Sequence, residues 1–69
     1  MIYNLSISNR EVLKFIECFI DRHGYSPTYR EIAEGTQRSK AAVHWQVKRL
    51  VSLGHLQQEP GKPRTLRPV

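Results

Sequence analysis

Seven of the eleven lysines and arginines in this 69-residue chain fall after residue 34, where Glu59 is the single acid. Residues 1–34 hold four cations and five acids, so the formal net charge of +5 resides in the second half. Cations spaced as Arg38, Lys40, Lys48, Arg49, Lys62, Arg64 and Arg67 suit electrostatic contact with a polyanion. A solubilising surface is the plain alternative. Other chemistries find no constellation. Ser39 and Lys40 are adjacent at a helix start, which reads as a cap and a phosphate contact, not as a nucleophile and its base. His23, His44 and His55 with Cys18 lack the spacing of a zinc site, so neither a metal nor a cofactor is expected. His23 and His55 stand beside helix-ending glycines, where a cation complements the helix dipole.

The elements that must carry these cations follow from the periodicity. A first helix is expected over about 8–23, with Val12, Leu13, Ile16, Phe19 and Ile20 forming one apolar stripe at three- and four-residue steps. Ser8 and Glu11 have capping-box spacing, and Ser6 is an alternative cap. Gly24 supplies a left-handed stop. Ser26-Pro27 cannot continue a helix. Thr28 then starts a second one, over about 28–35, with Glu31 at its capping-box position, Ile32 and Ala33 facing inward, and Gly35 closing it. The third helix spans about 39–53, starts at Ser39 and ends at Gly54, with Val43, Val47, Leu50 and Val51 as its buried stripe.

Two helices joined by a tight turn, the second longer and basic, form a helix-turn-helix pattern. With Val43 centred on the buried face, Ala41, Trp45, Lys48 and Ser52 fall within about 40° of the opposite side, and His44 lies at the flank. Trp45 therefore points away from its own helix's core. Either it packs under the C-terminal hairpin or the N-terminal segment, or it meets a partner with Lys40, His44 and Lys48 around it. Ala41 is small enough to let the helix approach a groove closely.

The stretches YSPTYREIAE (25–34), SKAAVHWQVKRLVSLGHL (39–56) and EPGKPRTLRP (59–68), with LKFI in the first helix, resemble the DNA-binding domain of the LexA repressor family. PTYREIAE and the PGKPR tip are the most specific of these, and the resemblance covers nearly the whole chain. It implies a small α+β fold over residues 1–69, a winged helix-turn-helix of three helices and a C-terminal β-hairpin wing over about 55–69. His55–Gln58 and Thr65–Val69 are then the hairpin strands and Glu59–Arg64 the wing tip. Pro60 and Pro63 stiffen that tip, and Gly61 allows its turn.

The implied partner is double-stranded DNA, bound sequence-specifically in transcriptional regulation of a repressor kind. The third helix enters the major groove and the wing lies along the backbone. Ala41, His44 and Trp45 occupy the positions that read bases, where the best-known members carry Asn and Glu. Arg38, Ser39, Lys40, Lys48, Lys62 and Arg64 are the expected phosphate contacts, with Arg49 the weakest addition. Dimerisation on DNA, or a partner protein supplying it, is a further expectation, since the family binds two half-sites. The family's serine–lysine peptidase module lies downstream of its DNA-binding domain, and no enzyme activity is expected of these residues. A protein-interaction module using Trp45 as its anchor is the alternative from another class.

Bulk properties agree with a small intracellular domain. A chain this short buries only about 60 % of the surface it exposes when unfolded. Cys18 is the single cysteine, which argues against a secreted disulfide scaffold. No apolar run approaches the ~20 residues of a membrane span, and MIYNLSIS is no signal peptide, so a bacterial or phage-encoded cytoplasmic protein is expected.

Overall fold

The structure, a computed structural model, describes residues 7–69. Three helices, α1 (Ile7–His23), α2 (Tyr29–Thr36) and α3 (Lys40–Ser52), precede two short strands, β1 (Leu56–Gln57) and β2 (Arg67–Pro68). This is the winged-helix order.

In α1, Val12 and Ile16 are fully buried one turn apart, with Leu13, Phe15 and Ile20 packed beside them. The expected Ser8–Glu11 box does not form at the helix start. Helix is already present at Ile7, which places Ser8 inside it, and the Glu11 carboxylate is drawn away to the Arg38 guanidinium. Ser6, the alternative cap, lies outside the described residues. At the other end Gly24 takes a φ of 81° and its N–H donates to the Ile20 carbonyl at 2.7 Å.

The capping box of α2 is complete. Thr28 Oγ1 accepts from the Glu31 N–H at 3.1 Å, and Glu31 Oε1 accepts from the Thr28 N–H at 2.8 Å. Ile32 and Ala33 point into the core. Gly35 does not close the helix, which continues to Thr36, and Gln37 takes the left-handed position with a φ of 57°. The Gln37 and Arg38 N–H groups both reach back to the Ala33 carbonyl. Gly35 is needed for a different reason: a Cβ there would overlap the ring edge of Phe15, so α1 and α2 approach closely at this point.

Ser39 caps α3 by accepting the Ala42 N–H at 3.0 Å. Val43, Val47 and Leu50 are fully buried. Val51, expected beside them, is 37 % exposed. It stands 100° round the helix from Leu50, and the wing fills the core's remaining side with Leu56 and Leu66 instead. The exit is a Schellman turn, with His55 N–H donating to Leu50 O at 2.9 Å and Gly54 N–H to Val51 O at 3.1 Å.

The hairpin pairs antiparallel, Leu56 opposite Pro68 and Gln57 opposite Arg67. Regular pairing is shorter than the runs 55–58 and 65–69, because side chains stitch the loop where a ladder would continue. The Thr65 hydroxyl accepts the Glu59 N–H at 3.0 Å and lies 3.2 and 3.1 Å from the Glu59 and Lys62 carbonyls. Pro68 has no N–H to donate and sits in an outer strand, where that costs little.

Candidate nucleic-acid interface

The third helix stands on Val43, Val47 and Leu50, so its opposite side is fixed outward. Ala41, His44, Trp45, Lys48 and Arg49 are all exposed, as are Ser39 and Lys40 at its start. Trp45 is 71 % exposed and does not pack under the hairpin. No acid occurs between residues 40 and 52. Lys40, Lys48, Arg49 and Arg67 form no ion pair among the described residues. Trp45, Lys48, Arg49, Ser52 and Leu53 rim a shallow cleft of about 400 Å³. The helix thus presents an apolar ring among uncompensated positive charges.

His44 is held at the flank. Its ring meets the Tyr29 ring edge-on at 5.8 Å between centres, and the Tyr29 hydroxyl accepts from Gln58 Nε2 at 2.8 Å. A continuous contact therefore runs from α3 through α2 to the root of the wing. Neither Tyr29 nor Gln58 stands out in the sequence. The cue available there is an aromatic one residue past a helix cap.

The expected phosphate contacts divide into free and engaged groups. Arg38 is only 26 % exposed at its side chain, is paired with Glu11, and has a buried Nε without a partner among the described residues. It ties the turn before α3 to α1. Ser39 spends its hydroxyl oxygen on the cap. Lys62 lies at the wing tip, 3.5 Å from Glu59, with both side chains largely in solvent.

Arg64 is different again. Its guanidinium donates to Glu31 Oε1 at 2.9 Å, Glu31 Oε2 at 3.2 Å and the Ser26 carbonyl at 3.1 Å. The same group covers the Tyr25 ring at 4.9 Å. Arg64 adopts a left-handed φ of 57° to do this. It is the wing's anchor to α2, not a cation projected from the tip. The Thr28 backbone N–H, and then Arg64, hold the Glu31 carboxyl below its usual pKa.

No helix among the described residues is long and apolar enough to cross a membrane. Among the same residues no cluster of His, Cys, Asp and Glu could hold a metal ion.

Comparison with known proteins gives this geometry its context. The family model of the LexA DNA binding domain matches residues 3–65. The LexA repressor of Carboxydothermus hydrogenoformans is 41% identical over 66 residues, covering 94% of this chain and 32% of the repressor. That of Limosilactobacillus fermentum is 45% identical over 56 residues, 80% of this chain and 27% of the repressor. LexA repressor 2 of Geobacter sulfurreducens is 43% identical over 61 residues, 87% of this chain and 30% of that protein. The chain thus spans about a third of the length of the repressors it matches. On a match that takes in all three helices and most of the wing, this chain belongs to the LexA DNA-binding domain family.

Proposed function

We propose that the chain binds double-stranded DNA sequence-specifically and that it regulates transcription by repression, in keeping with the repressors it resembles. The observation that carries this reading is the outward face of α3: acid-free, exposed, and bearing Lys40, Lys48 and Arg49, which form no ion pair among the described residues. An α-helix of this kind fits the major groove, and phosphate contacts position it there. Base-edge contacts then fall to Ala41, His44 and Trp45. Lys62 brings the wing tip to the backbone, while Arg38 and Arg64 hold the elements that carry the contacting residues. Two copies on paired half-sites, or a partner protein that joins them, complete the arrangement in the cytoplasm. The role is binding, not catalysis.

Salt tests it. Four phosphate contacts, from Lys40, Lys48, Arg49 and Lys62, give a slope of about −3.6 for log K against log salt, at ~0.9 per contact. A titration on duplex DNA with a slope near zero would remove the reading. The exposure of Trp45 favours a second one, in which that ring anchors a protein partner. A Trp-centred protein contact hardly responds to salt, so the same titration separates the two.

A further inference from the structure

Trp45 stands apart from the other described aromatic residues. Among the described residues Phe15, Phe19, Tyr25 and Tyr29 each lie against another ring. The indole of Trp45 meets no other ring among these residues and stands 71 % exposed. Helix geometry places it between two cations. Lys48, three residues on, lies about 60° to one side of it, and Arg49, four residues on, about 40° to the other. Ala41, four residues earlier, leaves the helix backbone bare above it.

A helix seated so that Lys48 and Arg49 reach the two walls of a groove puts Trp45 over the groove floor. There its chemistry is narrow. The indole has one N–H donor and no acceptor, so it cannot form the paired donor–acceptor contacts that identify adenine, or the two-donor fork that identifies guanine. Ala41 offers no polar group either. What the major-groove floor presents to an apolar ring is the C5-methyl group of thymine. We infer that Trp45 is a specificity-determining residue whose indole covers thymine C5-methyl groups, so that this chain selects its site at that position by an apolar contact. The inference rests on the DNA-binding reading above.

Replacing thymine by deoxyuridine removes the methyl group and leaves base pairing and every hydrogen-bonding group in place. The test takes a duplex selected by the unaltered chain from a random pool and exchanges its thymines for deoxyuridine one at a time. Binding is followed by fluorescence anisotropy. Burial of one methyl group corresponds to roughly fourfold in affinity. The expected result is a loss of about that size at one or two positions and none elsewhere. Trp45→Ala should bind the thymine and deoxyuridine duplexes equally, and Trp45→Phe should keep part of the difference.

Salt-sensitive, selective binding with no thymine position responding would overturn the inference and leave the DNA-binding reading standing. A thymine preference that survives in Trp45→Ala would overturn it too, since another residue would then supply the contact. Absence of salt-sensitive duplex binding would remove both. Should Trp45→Ala fail to fold, the unaltered chain and Trp45→Phe still decide the question: a thymine preference left undiminished by Trp45→Phe would overturn the inference.

Discussion

Arg64 closes a two-toothed fork on Glu31, with Nη1 at 2.9 Å from Oε1 and Nη2 at 3.2 Å from Oε2. The same Oε1 accepts the Thr28 N–H that opens α2. One carboxylate therefore caps a helix and fastens the wing, across 33 residues of sequence. Its ionised form is the one all three donors favour, which is why its pKa is lowered.

Linkage gives the sign of the consequence. A carboxyl whose pKa is lower in the folded than in the unfolded chain adds stability that is fully present above the unfolded value. That stability is lost as pH falls through the lower, folded value. Unfolding temperatures of the unaltered chain and Glu31→Gln should therefore differ most near neutral pH, with the unaltered chain higher. The gap should close as pH falls through and below the ordinary glutamate range. A gap that stayed constant down to pH values where every carboxylate is protonated would mean that Glu31 acts through shape alone.

The two wing cations should separate in experiment. Lys62→Ala should leave the unfolding temperature unchanged, because exposed ion pairs contribute at most about 1 kcal/mol and often nothing. It should weaken binding alike on preferred and scrambled duplexes and reduce the salt slope by about 0.9. Arg64→Ala should instead lower the unfolding temperature by a few degrees, since it releases Glu31, the Ser26 carbonyl and the Tyr25 face together. If Lys62→Ala changed which duplex is preferred, the wing would be reading bases.

Gly35 offers a test of packing that DNA does not enter. Alanine in a helix interior is ordinarily worth about 1 kcal/mol over glycine. Here the added methyl group meets the Phe15 ring, and overpacking of this kind costs ~1–3 kcal/mol. Gly35→Ala should therefore destabilise the chain by about 1 kcal/mol net in urea unfolding. With Phe15→Ala already present, the same substitution should stabilise it. Failure of the sign to reverse would show that the two helices do not meet at this contact.

What can be read in the sequence, and what cannot, divides by the distance between partners. Thr28 and Glu31 are three residues apart, Ser39 and Ala42 likewise, and the Val43–Val47–Leu50 stripe is written in one helix; all are local, and all stand as expected. The outward phase of Ala41, Trp45 and Lys48 follows from that stripe. Gly35 reads along the chain as a helix stop, because the residue that explains it, Phe15, lies in another helix. Glu11 and Arg38 pair across 27 residues and Arg64 and Glu31 across 33, so two cations that look free along the chain are engaged in three dimensions. Val51 obeys helical spacing as well as Leu50 does. At 100° per residue, however, Leu50 lies about 20° from Val43 and Val51 about 80° from it, at the edge of the stripe, and Leu56 and Leu66 complete the core on that side.

The amide contact between Asn9 and Gln46 belongs to the same long-range class. Asn9 is buried in the seam of α1 against α3, and its Nδ2 donates to Gln46 Oε1 across 37 residues. An apolar seam tolerates sliding by small amounts, whereas a part-buried amide contact favours the arrangement that satisfies it. The contact joins α1 to α3 one residue after Trp45. A substitution at position 9 would therefore remove a polar link between α1 and α3 without altering any side chain on the outward face of α3.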